Sequence, residues 1–168
     1  IADNQNMEPE MMSILEEKLK EFPDRGEYLK KEHDMKLLTL IDKKANNNIE
    51  LTLDELKFLY EIDDQIKGFG YEEDPRIKEI KRKRKKRRDY SLIFNVKEEE
   101  VALSQKEWEK SPDKFKILVG NLSLAYDDIG DLPQYVEGDL FLDDVENAEW
   151  LVFPQRVGGD LPLNSLES

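Results

Sequence analysis

Apolar residues recur at helical spacing through the first half of the chain and at a different cadence through its last third. Met11, Ile14, Leu15, Leu19 and Phe22 form one stripe behind Glu8-Pro9-Glu10, where a proline and two acids suit the first turn of a helix. Pro23-Asp24-Arg25-Gly26 closes that helix. A second is predicted from about Glu27 to Ala45 on Leu29, Leu37, Leu38, Leu40 and Ile41, ending at Asn46-Asn47-Asn48. Thr52-Leu53-Asp54-Glu55 has the pattern of a capping box, in which the hydroxyl and the carboxylate satisfy free amides at a helix start. The third helix turns Leu53, Leu56, Leu59, Tyr60, Ile62 and Ile66 inward and is expected to stop at Gly68-Phe69-Gly70. Asp74-Pro75 opens a fourth, with Ile77 and Ile80 as its apolar residues ahead of a run of bases. Residues 1–88 thus read as a small α-helical bundle ending in a basic segment.

From Tyr90 the pattern changes. Tyr90-Ser91-Leu92-Ile93-Phe94-Asn95-Val96 is aromatic and β-branched, and predicts a short strand. Val101-Ala102-Leu103 is a second apolar run, and Ser104-Gln105-Lys106-Glu107 is another capping box, for a short helix carrying Trp108. Phe115 to Val119 leads into a repeat. Val136-Glu137-Gly138-Asp139-Leu140-Phe141-Leu142 returns as Val157-Gly158-Gly159-Asp160-Leu161-Pro162-Leu163, and Leu132-Pro133-Gln134-Tyr135-Val136 matches Phe153-Pro154-Gln155-Arg156-Val157, both at a spacing of 21 residues. A degenerate copy, Val119-Gly120-Asn121-Leu122-Ser123-Leu124, precedes both.

Leu140 and Leu142, two apart, point to one face of a short strand, and Gly138-Asp139 turns the chain into it. One period cannot enclose its own apolar side chains. Stacking lets the strands pair in parallel and buries a continuous ladder. Val136, Leu140, Leu142, Val145, Leu151, Phe153 and Val157 are the expected repeat core, with residues 90–115 as the cap over the first edge. The fold class read from the chain is α+β: a helical unit over 1–88, then a β cap and a short parallel β array, or solenoid, over 89–168.

Leu140-Phe141-Leu142 followed by Val145, Ala148, Leu151 and Phe153-Pro154 resembles a leucine-rich-repeat variant, and Val157-Gly158-Gly159-Asp160-Leu161 resembles the glycine-rich repeat start of uncharacterised bacterial proteins in which a helical region precedes the repeats. The resemblance covers residues 119–168 in its motifs and implies a binding scaffold, with no catalytic residue. Val145 stands where a standard leucine-rich repeat has its asparagine, so a regular asparagine ladder and a standard horseshoe are not expected.

Charge divides the chain in three. Residues 1–74 hold 20 acids and 10 bases, 75–116 hold 8 and 15, and 117–168 hold 11 and 1, within a net charge of −13. That balance disfavours general binding to nucleic acid or anionic membrane and leaves one local basic contact. Lys81, Arg82, Lys83, Arg84, Lys85, Lys86, Arg87 and Arg88 form it. Clustered bases gain free energy by displacing counterions from phosphates, of nucleic acid or of lipid headgroups. The plainer reading is a solvated helix end that offsets the acidic regions on either side.

Acid pairs at Asp63-Asp64, Asp127-Asp128 and Asp143-Asp144 match no calcium loop, and structural or solubility roles are expected for them. His33 is the only histidine and sits on a charged helix face, so no histidine cluster or catalytic triad is expected around it. Gly158-Gly159 and Gly68-Phe69-Gly70 read as turns, and Trp108 and Trp150 as core or edge-covering residues more than as binding anchors.

Cysteine is absent, and neither a membrane span nor a signal peptide is visible, so a cytoplasmic setting is expected. The first residue is Ile1 and the sequence stops in mid-repeat at Leu166-Glu167-Ser168, which reads as a segment of a longer protein. These features predict a non-catalytic interaction protein with no cofactor and no metal. It would present an acidic repeat surface to a protein partner, and the unpaired repeat edge would favour self-association. The alternatives are an adaptor for nucleic acid or anionic membrane through Lys81–Arg88, and the non-catalytic arm of a larger enzyme.

Overall fold

The computed structural model describes Ile14, Lys18 and residues 24–70, 72–124, 131–142 and 152–162. The helix predicted from Glu8 to Phe22 lies outside these residues apart from Ile14 and Lys18. The first helix described in full, α1 (Arg25–Asn46), buries Asp34, Leu38 and Ile41, whereas Leu29 and Leu40, expected inside, are exposed. Among the described residues α1 is covered on the side of Leu38 and Ile41, which pack into the core with Ile77 and Ile80.

Thr52 and Glu55 form the predicted capping box, and α2 (Leu53–Leu59) follows. This helix ends well before Gly68. Tyr60 closes it and Glu61 takes a left-handed conformation (φ 54°), so that the Glu61 and Ile62 amides bond the Phe58 and Lys57 carbonyls. The carboxylate of Glu61 accepts from the Ile66 amide, which holds the chain out of the helix. Asp74 caps α3 (Pro75–Lys83) as predicted. The Arg76 guanidinium grips Asp74 and donates to Thr39 Oγ1, tying α3 to α1.

The sequence reading fails at the segment after the basic run. Residues Tyr90–Val96, expected as a strand, belong mainly to helix α4 (Lys86–Phe94), capped by Asn95 in the left-handed conformation. Asp89, Tyr90 and Ile93 are buried and Leu92 is half exposed, a helical spacing rather than the alternation of a strand. The unit boundary read at residues 88 and 89 therefore falls inside a helix.

Beyond a 3₁₀ turn at Glu98–Glu100 come β1 (Val101–Ala102), α5 (Gln105–Trp108), a 3₁₀ turn at Pro112–Lys114, β2 (Ile117–Leu118), β3 (Leu122–Ser123), β4 (Tyr135–Val136), β5 (Leu140–Phe141) and β6 (Arg156–Val157). The strands form two parallel ladders, β1-β2-β4-β6 and β3-β5. Alternation across the larger ladder divides the apolar residues between two cores. Val101, Ile117 and Tyr135 face the helices and join Leu38, Ile41, Leu59, Ile77, Ile80 and Tyr90. Ala102, Leu118 and Val136 face the other way and meet Trp108, Leu122, Leu124, Leu140 and Leu142. The sheet is the common wall of the two cores.

Candidate functional site

The repeat is built on backbone hydrogen bonds that recur from strand to strand. The carbonyls of Lys116, Leu118 and Gly120 accept from the amides of Gln134, Glu137 and Gly138 at 2.7, 2.9 and 3.0 Å. One turn later, Gln134, Val136 and Gly138 accept from Gln155, Gly158 and Gly159 at 2.8, 2.8 and 3.1 Å. The register pairs Tyr135 with Arg156, the 21-residue period of the sequence, and pairs Ile117 with Tyr135 and Leu122 with Leu140 at 18. Leu118, rather than Val119, is thus the counterpart of Val136 in the first copy.

A side-chain rung accompanies the backbone bonds. Asn121 Oδ1 accepts from the Asp139 amide at 2.9 Å, and Asp139 Oδ1 accepts from the Asp160 amide at 2.8 Å. Two side-chain rungs, from Asn121 and from Asp139, therefore run through the residue after the glycine. Val145 itself lies outside the described residues. A Cβ on Gly138 would stand 2.0 Å from Asn121 Oδ1, and one on Gly159 would stand 2.2 Å from Asp139 Oδ1. Gly138-Asp139 is a linked pair: the glycine clears room for the oxygen of the previous rung, and the aspartate supplies the next. Asp139, read as a turn residue, is a structural acceptor, and Asp160, read likewise, donates its amide to it.

The two ends of this arrangement differ. At the first, Gln105 of α5 pairs with Ser123 of β3 through both backbone groups, its Oε1 accepting from the amide and its Nε2 donating to the carbonyl. Arg87 Nη1 donates to the Val101 carbonyl and Nη2 to Glu107, whose carboxylate also accepts from the Leu103 amide. The Leu103 amide bond and the Arg87 guanidinium hold Glu107 below the usual carboxylate range against the opposing effect of burial. At the other end, the carbonyls of Gln155, Val157 and Gly159 and the Asp160 carboxylate meet no donor among the described residues. The apolar side chains there are open: Val152 is 74 %, Phe153 41 % and Leu161 37 % exposed, whereas Leu140, the counterpart of Leu161, is 0 %.

Of the expected repeat core, Val136, Leu140 and Leu142 are buried and Val157 is partly so. Phe153 is not, since no further strand lies over it among the described residues. Leu151, like Val145, falls outside them.

The basic segment is largely absorbed into the fold. Arg84 leaves helical geometry (ψ 158°) and its Nε and Nη2 donate to the two carboxylate oxygens of buried Asp89 at 2.7 and 2.8 Å. Tyr60 donates to the same carboxylate at 2.8 Å. Lys81 pairs with Glu61 and lies over the Tyr60 ring, Lys83 pairs with Glu79, and Arg88 pairs with Glu50. Arg82, Lys85 and Lys86 are exposed, with no ion pair among the described residues. A cleft of ≈ 350 Å³ between the Asn48–Leu51 loop and α4 collects Lys83, Arg84, Lys85 and Arg88, with Glu50 and Asp89 on the same wall. Four bases against two acids leave it net positive.

Tyr60, Tyr90, Phe94 and Tyr135 pack between helices and sheet, with ring centroids 4.5–6.3 Å apart in successive pairs. Burial, followed by the charge of Asp89, pushes the Tyr60 phenol well up, and burial with Glu137 does the same to Tyr90, which donates to Glu137. Tyr135 is pushed up to about 12 by burial and Glu137.

His33 is exposed. Asp64 pairs with Lys30 and Asp63 with Arg156, while Asp127-Asp128 and Asp143-Asp144 lie outside the described residues. Among the described residues no group of three or more His, Cys, Asp or Glu could hold a metal ion, and no helix is long and apolar enough to cross a membrane. Trp108 is buried, and Trp150 is outside the described residues. No family model, curated protein or solved structure matches the chain.

Sequence reasoning missed the edge-sealing roles of Gln105 and Arg87 and the Asn121–Asp139–Asp160 ladder. The ladder left a signal in the alignment of Gly120-Asn121-Leu122 with Gly138-Asp139-Leu140. Gln105 and Arg87 left none, because each serves a backbone group distant in sequence.

Proposed function

We propose that the chain is a non-catalytic protein-interaction scaffold in which a leucine-rich-like array, built as a short solenoid and capped by α5, offers its surface to a protein partner. The observation that supports this most is the rung repeated in register at Asn121, Asp139 and Asp160, since a unit that stacks on itself makes an extended surface. Residues 117–168 carry 11 acids and one base, which favours a partner with a basic face. A cysteine-free composition suits a reducing, cytoplasmic setting.

The test is retention of partners by the immobilised chain against an equally acidic control protein, followed by hydrogen exchange of the complex. Protection on residues 116–161 is the expected result. Retention no better than the control, or protection confined to α1–α4, overturns the reading.

The adaptor reading is weaker, because Lys81, Lys83, Arg84, Arg87 and Arg88 already face acids within the chain. It now rests on Arg82, Lys85 and Lys86. A salt-dependent gel shift abolished by reversing those three charges would favour it.

A further inference from the structure

The cleft beside α4 carries more specific chemistry than the charged hollow around His33 or the aromatic cluster between helices and sheet. Its floor is aliphatic, made by Ala45, Leu51, Leu56 and Ile80. Each wall half exposes a large aliphatic side chain, Ile49 from the loop and Leu92 from α4. The fold holds Ile49 in place: Asn48 takes a left-handed conformation (φ 55°), and the Ile49 amide bonds the Lys44 carbonyl at 2.9 Å. On the facing wall Lys85, Arg88 and Leu92 fall at i, i+3 and i+7, along one face of α4 and its N-cap.

Within a chain of net charge −13 this cleft is positive. Its four bases are not equally engaged. Arg84 is taken up by buried Asp89, and Lys83 pairs with Glu79. Among the described residues Lys85 has no ion pair, and Arg88 has a single one, Nη2 donating to Glu50 Oε1 at 3.0 Å. Glu50 is largely exposed on the loop, so a carboxylate from outside can replace it on Arg88 one for one.

We propose that this cleft is a docking site for an acidic, extended segment of a partner protein, with an aliphatic residue seated between Ile49 and Leu92 and two acids within three residues of it, on Arg88 and Lys85. The spacing follows from the helix. Leu92 stands about 6 Å from Arg88 and about 10 Å from Lys85 along the axis, distances that an extended segment covers in about two and three residues. The chemistry favours a peptide over a polyphosphate chain, because the aliphatic floor suits a side chain that a nucleic acid lacks. No aromatic side chain among the described residues lines the cleft for a base to stack on. The site lies apart from the acidic repeat surface, takes a partner of the opposite charge, and does not rest on the scaffold reading.

The experiment uses the full chain and a labelled, end-blocked peptide, Gly-Ser-Leu-Ser-Glu-Glu-Ser-Gly. Fluorescence anisotropy should show saturable binding that weakens as salt rises, with amide shifts on residues 48–51 and 85–92. Glutamine in place of both glutamates, or serine in place of the leucine, should each weaken binding by about ten-fold or more. On the protein, Arg88→Gln and Lys85→Gln should each weaken it by about three- to five-fold, and Glu50→Gln should tighten it by about three-fold by freeing Arg88. Lys86→Gln, outside the cleft, should leave it unchanged. All four of these side chains are exposed, so the fold is retained. Equal binding of the glutamate and glutamine peptides, shifts elsewhere, weaker binding to Glu50→Gln, or no saturation would overturn the proposal. So would a dimer that buries the cleft in sedimentation, which would assign it to a second copy. Saturable binding of a single-stranded oligonucleotide or of phosphatidylserine vesicles in place of the peptide would overturn it in favour of phosphates. Retention of partners on the repeat is a separate readout, so failure here leaves the scaffold reading standing.

Discussion

Arg84 and Asp89 decide where the basic run stops being one helix. Asp89 is 2 % exposed, and a carboxylate that deep needs a paired, hydrogen-bonded cation. Arg84 supplies it by taking an extended backbone, which separates α3 from α4 without a glycine or proline. Arg84→Ala would leave the charge with Tyr60 as its one remaining side-chain donor. The expected loss in urea unfolding is about 3–5 kcal/mol, against about 0.5 kcal/mol or less for Lys86→Ala on the exposed face. Gly138 tests the rung in the same way. Gly138→Ala places a methyl 2.0 Å from Asn121 Oδ1 and 2.9 Å from the Gly120 carbonyl carbon. It should destabilise strongly, and Asn121→Ala should relieve part of that loss, with a coupling of about 0.5–3 kcal/mol in a double-mutant cycle. Strict additivity would mean that backbone crowding alone requires the glycine.

At the scale of elements, α4 is the sharpest test of the fold. Residues 90–96 satisfy two periodicities, since Tyr90, Leu92 and Phe94 alternate as in a strand while Tyr90, Ile93 and Phe94 share a helical face. The helical face wins because it packs on Tyr60 and Tyr135 and brings Asp89 to Arg84. Ile93→Ala should therefore cost about 2–4 kcal/mol in chemical denaturation, while Leu92→Lys, half exposed, should be nearly neutral. A large loss from Leu92→Lys would indicate a strand. This ambiguity shows what the sequence could carry. The caps at Thr52 and Asp74 were legible because each is a contact between residues three or fewer apart, whereas Ser104 forms only half of its expected box, the Glu107 carboxylate accepting from the Leu103 amide instead. The 21-residue register of β4 with β6 was legible as well, because those two copies match residue for residue, whereas the 18-residue register of β2 with β4 was not. The true end of α2, the break at Arg84 and the sealing of the first edge by Gln105 and Arg87 depend on partners brought together by the fold, and no local pattern announces them.

At the scale of the whole molecule, the helices and the sheet are joined through buried phenols. Tyr135 has its proton loss moved from the ordinary phenol value near 10 to about 12, and Tyr60 and Tyr90 are raised further by burial and the acids beside them. A raised folded value means that the native state keeps protons the unfolded chain has lost. Stability is therefore unaffected by these groups below pH 10 and falls as pH rises from 10 through 12. Tyrosinate absorbance should appear together with loss of helical circular dichroism, and Tyr135→Phe should make the alkaline decline shallower. Titration of these phenols in the folded state, ahead of unfolding, would show that the junction is open to water.

A second joint acts at the far edge of the sheet, where Arg156 of β6 donates to the Ile62 carbonyl at 2.9 Å and lies 3.4 Å from Asp63. It is the position that Ile117 and Tyr135 occupy on the earlier strands, and both of those are buried against the helices. Where the helical core no longer reaches, a long cationic side chain spans the remaining gap to the loop after α2. Arg156→Ala should leave global stability within about 1 kcal/mol, because the pair is largely exposed. It should nevertheless speed hydrogen exchange of the Gln155, Gly158 and Gly159 amides, whose bonds to the preceding strand hold β6, while leaving the Glu137 and Gly138 amides unchanged. Equal acceleration on both strands would mean that the array opens as one cooperative piece, and unchanged exchange throughout would mean that the repeat bonds alone secure β6.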